Sequence, residues 1–216
     1  MTFNTAFSIS GPVITIWIIT AILTVFSILA TRRLKDVPGP LQNLAEVAIE
    51  KLEDYFGGTL GHENMRRYFA LFATLFIFIV VSNYSGLIPT AGETFSVPTA
   101  SISVTAALAA IAFFTTHTIG IQRQGFGGYA KSFLNPVALL LPLTLMDQLV
   151  RPFSLAIRLY GNIYAEEMVT SQLRRMFPVL LPLVMQVLSL LFCLIQAMVF
   201  TMLTAVYVHE AIGEDE

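Results

Sequence analysis

Long apolar runs separated by short polar stretches dominate this chain. Crossing the hydrocarbon of a bilayer as a helix takes about 20 apolar residues, and runs of about that length or more fall at 12–30, 69–88, 101–121, 136–170 and 177–208. The pattern predicts an all-α integral membrane protein of about five membrane helices, forming a single membrane domain over 1–216. The last two runs are longer than a perpendicular span requires and carry Pro142, Pro152, Pro178 and Pro182. They are therefore expected to form long helices that are tilted, kinked or partly unwound.

Between the first two runs the period changes. Pro38-Gly-Pro40 breaks the chain, after which Leu41, Leu44, Ala48, Leu52 and Tyr55 recur at helical spacing, with Gln42, Glu46, Glu50, Glu53 and Asp54 on the other faces. This predicts an amphipathic cytoplasmic-surface helix at 41–56. Its polar face is acidic, so it suits packing on the mouths of the spans or on a partner protein better than attraction to anionic lipid.

Composition sharpens the picture. The chain is 56% hydrophobic and 12% charged, and its 12 Lys+Arg against 14 Asp+Glu leave no basic surface for nucleic acid. One cysteine, Cys193, excludes an internal disulfide, a thiolate zinc site and an iron–sulfur cluster within the chain. The first apolar run lacks a basic flank before it and a cleavage pattern after it, so it is read as a retained span. Arg32, Arg33 and Lys35 after span one, Arg66 and Arg67 before span two, and Arg123 and Lys131 flanking a loop after span three place those stretches in the cytoplasm, with the N-terminus outside and the C-terminus inside. Arg174 and Arg175 then fall in an external turn, against the same rule.

An ionisable side chain inside a span costs about 2.5–3.5 kcal/mol on insertion scales, so each requires a partner or water. Span four carries several. With Arg158 as origin and about 100° per residue, Asp147 falls near −20°, Arg151 near +20°, Ser154 near −40°, Asn162 near +40° and Ala165 near −20°. Asp147 and Arg151, at i,i+4, have the spacing of a neutralising pair as well as that of a path. Arg158 has no carboxylate three or four positions away, and Asp147 is about 16 Å along the helix. Glu166 and Glu167 lie on different faces toward the external side, as candidates for a proton relay or for an external rim. Small residues Ser154, Gly161 and Ala165 flank Arg158, so another helix has room to approach.

In span five Gln186, Ser189, Cys193, Gln196, Phe200, Thr204 and Tyr207 recur at spacings of three and four, a mixed polar stripe expected to face inward. Gln196 has the chemistry to hold a water or brace a guanidinium, and equally to make an ordinary interhelical hydrogen bond. Asn83 carries the same two readings, and His117 is read as interfacial. A central unpaired arginine between two sets of polar residues repels a cation passing straight through and attracts a carboxylate presented by another subunit. A secondary transporter fits less well, because no repeated halves are visible. A passive scaffold leaves the arginine unexplained.

The string Arg151-Pro-Phe-Ser-Leu-Ala-Ile-Arg158-Leu-Tyr-Gly-Asn162-Ile-Tyr-Ala-Glu-Glu167, followed by Ile195-Gln196-Ala-Met-Val-Phe-Thr-Met-Leu-Thr-Ala-Val-Tyr207, resembles subunit a of the F-type ATP synthase membrane sector. Ser82-Asn-Tyr-Ser-Gly-Leu-Ile-Pro89 and Pro98-Thr-Ala are similar to earlier signatures of that family. The resemblance covers essentially the whole chain. It implies a non-catalytic, ion-conducting stator beside a rotating ring of c subunits, with subunit b of the peripheral stalk, the rest of the complex and membrane lipids as further partners. It implies no cofactor and no metal.

By the same resemblance, two offset half-channels pass protons, or in some members sodium ions, to and from the ring carboxylates. Arg158 corresponds to the essential arginine that engages a ring carboxylate and blocks a short circuit. Asn162, Glu167 and Gln196 correspond to polar positions of the external half-channel, and Ser154 to a small polar position near the arginine. Ser189 stands where some bacterial members have His, and Glu166 where members have Gly or an acid, which implies a relay of Glu166 with Glu167. Ser101 stands where Asp is common, and Asp147, about one turn from an acidic position of some relatives, is offered for the cytoplasmic path. A bacterial plasma membrane is the expected setting, in preference to a thylakoid or mitochondrial inner membrane.

Overall fold

The computed structural model describes residues 11–32, 39–60, 62–87, 97–132, 141–176 and 180–212, and every regular element among them is helical. The helices are α1 (Gly11–Thr31), α2 (Pro40–Leu60), α3 (His62–Tyr84), α4 (Ile102–Ser132), α5 (Leu141–Met176) and α6 (Leu180–Ile212), with single 3₁₀ turns at Ser85–Leu87 and Pro98–Ala100. Arg33, Lys35, Pro38, Ile88, Pro89, Pro136, Pro178 and residues 213–216, all invoked in the sequence reading, lie outside the described residues.

Four helical stretches among the described residues are long and apolar enough to cross a membrane: Gly11–Thr31, Arg66–Tyr84, Ile102–Tyr129 and Leu183–Ile212. The chain is an all-α membrane protein. α5 is the exception among the five expected spans: it is 36 residues long but carries both acids and arginines along its length. At about 1.5 Å per residue it measures about 54 Å, well beyond the roughly 30 Å hydrocarbon thickness.

The helices tolerate their many threonines because the hydroxyls bond back to the preceding turn. Thr15, Thr24, Thr74, Thr116, Thr201 and Thr204 each donate to the carbonyl four residues earlier. No hydroxyl of that set is left to face lipid unsatisfied.

α6 is the hub, packed by α2, α3, α4 and α5. At one end Leu52 and Phe56 of α2 meet Phe72 of α3, Ile119 of α4, and Ala205, Val208 and Ile212 of α6. In the middle, Leu75 and Ile79, Leu108, Leu155 and Leu159 close around Phe200, which is fully buried. At the other end Val97, Ile163 and Cys193 pack with Tyr84 and Ala100. α1 stands at the periphery with few buried positions, and Trp17, Ile22 and Leu29 are exposed.

Three expectations change. The expected basic loop after span three is helix: Arg123 and Lys131 sit in α4, which continues to Ser132 past one non-helical residue, Gly125, at φ 71° and ψ 159°. Glycine adopts that backbone without penalty, so one helical stretch stops at this kink and a short second one runs on to Ser132 in a new direction. Its terminal stretch returns Tyr129 against Gly120, where an added Cβ would lie 2.5 Å from the Tyr129 ring. Second, α5 and α6 are each continuous, so neither is partly unwound within its described span, and α5 runs through Pro152. Third, Arg174 and Arg175 occupy the last turn of α5. Exposed helix carbonyls carry partial negative charge there and favour cations.

α2 forms as a helix with Glu46, Glu50 and Asp54 exposed, but of the described side chains on its expected apolar face only Leu52 is buried, joined by Phe56, while Leu44, Ala48 and Tyr55 are exposed.

Candidate functional site

Most of the sequence-predicted polar residues assemble along the seam between α5 and α6. α5 presents a buried face of Leu155, Ala156, Leu159 and Ile163 to the bundle. On the edge of that face nearest α6 lie Arg151, Asn162 and Glu166, about 20°, 40° and 80° from Arg158 around the axis. Each reaches α6. Asn162 Nδ2 donates to Gln196 Oε1 at 2.6 Å. The Cys193 thiol donates to Glu166 Oε2 at 3.8 Å. Arg151 forms an ion pair with Glu210 and lies over the Tyr207 ring, 4.8 Å from its centroid. Rising residue number on α5 meets falling residue number on α6, as antiparallel neighbours require.

Arg158 lies between the first two of these cross-links in chain order and takes part in none. It is exposed, and among the described residues it has neither a hydrogen bond nor an ion pair. Around it Ser154 is exposed, Gly161 has nothing within 4 Å of where a Cβ would be, and Ala165 is exposed. Apolar side chains are exposed elsewhere on both helices: Val150, Phe153 and Ile157 of α5 are each more than half exposed, as are Val184, Val187 and Leu191 of α6. A cation on a small-residue groove is a site for a close-approaching helix that brings a negative charge.

The Asp147–Arg151 pairing is overturned. Arg151 turns to Glu210 on α6, whereas Asp147 is exposed and makes no ion pair among the described residues. Ion pairing follows the geometry of the seam: Arg151 sits on the edge toward α6, and Asp147 sits toward the open face with Arg158. Glu210 was missed by the sequence reading, although it lies three residues beyond Tyr207, the next step of the very stripe that led there.

The stripe itself faces inward as expected: Ser189, Cys193, Gln196, Phe200 and Thr204 are buried. Gln196 takes the hydrogen-bonding reading, although its Nε2 is buried without a partner. Asn83 also takes that reading, with Thr99 Oγ1 donating to its Oδ1 at 2.7 Å and its Nδ2 reaching the Cys193 carbonyl at 3.5 Å. This polar knot ties α3, the Pro98–Ala100 turn and α6 together behind Glu166; Thr99 was not singled out from the sequence. His117 bonds through Nδ1 to the Phe113 carbonyl at 2.9 Å and packs on the Phe113 ring, a structural role. Glu166 is partly buried and Glu167 exposed, so the adjacent carboxylates occupy different surroundings.

Comparison with known proteins bears on the whole assembly. Residues 13–209 match the family described as ATP synthase A chain. The chain is 42% identical over 202 residues to ATP synthase subunit a 3 of Pelobacter propionicus, covering 92% of this chain and 86% of that protein. ATP synthase subunit a of Geotalea uraniireducens gives the same identity and the same coverage. That of Trichlorobacter lovleyi is 39% identical over 209 residues, covering 95% of this chain and 88% of its own length. A match over residues 13–209, which reaches every helix described above and includes Arg158, Asn162, Glu166 and Gln196, places this chain in the ATP synthase A chain family.

Proposed function

We propose that this chain is the ion-translocating stator subunit of an ATP synthase membrane sector, with Arg158 as its electrostatic gate. The observation that carries the reading is the exposed, unpartnered Arg158 flanked by the small residues Ser154, Gly161 and Ala165. A ring of c subunits, each with one carboxylate at that depth, fits the groove. The guanidinium holds the deprotonated carboxylate as it passes and denies a proton a straight route.

Two offset half-paths then meet at the arginine. On the external side Glu166 and Glu167 receive the ion, and Asn162 with Gln196 forms the junction beside the gate. Ser154 is a small polar position beside the gate, and Asp147, toward the other end of the same open face, serves the cytoplasmic side. The N-terminus is outside and the C-terminus cytoplasmic, in a bacterial plasma membrane, and α5 crosses obliquely as the fourth of five spans. The chain performs no bond-making step itself. The c ring, subunit b of the peripheral stalk and the remainder of the ATP synthase are its partners, and the ring sets whether the coupling ion is a proton or a sodium ion. Moving one charge across 100 mV is worth about 2.3 kcal/mol, so several ions per turn drive a synthesis step and any leak past Arg158 wastes that drive.

The test is ATP-driven acidification of inverted membrane vesicles containing wild-type or Arg158→Ala complex, with assembly and ATPase activity measured in the same preparation. Loss of pumping in an assembled Arg158→Ala complex is the expected result; pumping at the wild-type rate would overturn the gate.

A further inference from the structure

α5 carries a second arginine whose charge must not compete with the first. Arg151 lies about 20° from Arg158 around the α5 axis and about 10.5 Å along it, and no other Lys or Arg lies between residues 143 and 173. A carboxylate travelling past α5 feels the charge of both guanidinium groups unless one is neutralised. Asp147, one turn from Arg151 on its own helix, leaves it unpaired. The neutralising carboxylate comes from the far end of the chain. Glu210, in the last turn of α6, pairs with Arg151, and Tyr207, one turn earlier, stacks its ring on the guanidinium.

The end of α6 that delivers these two residues is held firmly. Val208, Ala211 and Ile212 are buried, Gln124 of α4 donates to the Ala211 carbonyl at 3.1 Å, and Gly120 lets that carbonyl come within 3.1 Å of where a Cβ would be. The Arg151 side chain is 29% exposed and that of Glu210 50%. A pair exposed to that degree adds little to stability, so such anchoring suits a charge-setting role better than a strength-giving one.

We propose that Glu210, supported by Tyr207, is a specificity-determining residue: it cancels Arg151 so that Arg158 is the only uncompensated cation a passing carboxylate meets on this face. The proposal rests on the reading of Arg158 as gate. Removing the Glu210 charge creates a second holding point about two turns from the gate, where a carboxylate lingers off register. A unit charge about 10 Å away in a protein environment sets an effect of about tenfold in rate.

Four complexes decide the matter in the vesicle assay, with subunit content and ATPase activity of each preparation as the assembly check: Glu210→Gln, Arg151→Gln, the double variant, and Glu210→Asp. Glu210→Gln is expected to pump about tenfold more slowly. Glu210→Asp, which keeps the charge, should stay near wild type. The double variant, which removes the stray cation together with its partner, should recover to within about twofold of wild type, as should Arg151→Gln alone. A merely structural clamp predicts the opposite pattern, with Arg151→Gln and the double variant as slow as Glu210→Gln; that pattern, or full-rate pumping by Glu210→Gln, overturns the proposal. Glu210→Ala replaces Glu210→Gln if the latter assembles poorly. Arg158→Ala in the same series separates the two claims: retained pumping there refutes the gate itself, whereas absent rescue in the double variant refutes only the role of Glu210.

Discussion

Replacing Asn162 by Leu and replacing Gln196 by Leu delete the same hydrogen bond, yet they should have unequal costs. Hydrogen bonds between membrane helices contribute about 0.6 kcal/mol on average and rarely more than about 1.7 kcal/mol. Gln196 is only 5% exposed, and its Nε2 already lacks a partner. Asn162→Leu therefore leaves both ends of a buried amide unsatisfied, and each such group costs about 1–3 kcal/mol. Gln196→Leu removes the buried amide altogether and leaves only Asn162, which is exposed and free to bond water. Asn162→Leu should thus be the more destabilising by about 1–3 kcal/mol, and the double variant should behave like Gln196→Leu.

Cys193 is a built-in reporter for this comparison. It is the sole cysteine of the chain, is 2% exposed, and lies one turn from Gln196. Its alkylation in the assembled complex, followed by peptide mass spectrometry as temperature rises, gives a midpoint for opening of the seam. For a chain of this size each kcal/mol moves a midpoint by about 2–4 °C, so the two single variants should separate by several degrees. Equal midpoints, or a lower midpoint for Gln196→Leu, would refute the assignment of Gln196 as the under-satisfied partner.

Gly120→Ala should lower the same midpoint, because the new methyl meets Tyr129 at 2.5 Å and the Ala211 carbonyl at 3.1 Å; overpacking of that kind costs about 1–3 kcal/mol, and an unchanged midpoint would show that α4 and α6 separate freely there. Glu167→Gln should slow ATP-driven pumping less than Arg158→Ala does, since Glu166 remains beside it in contact with Cys193; loss as complete as that of Arg158→Ala would make Glu167 an obligatory carrier.

Much of this protein was legible along the chain because helix periodicity and bilayer thickness act locally. The apolar runs marked the helices, the stripe from Gln186 to Tyr207 marked the buried face of α6, and the absence of a carboxylate three or four positions from Arg158 marked it as unpaired. Each inference needed only residues within a few turns of one another. The failures had a common cause. Arg123 and Lys131 read as flanking a loop because their charge interrupts an apolar run, yet both are helical, on either side of a kink confined to Gly125.

Along the chain Asp147 at i,i+4 is a visible candidate partner for Arg151, whereas the carboxylate that pairs with it is 59 positions away. Which edge of α5 faces α6, which polar groups therefore bridge the seam, and which arginine is left open on the groove are properties of two helices packed at a particular rotation. Local propensity determines that a helix forms; only the burial of Leu155, Leu159 and Phe200 against one another decides how it is turned, and so which of its two central arginines is neutralised and which is free to act.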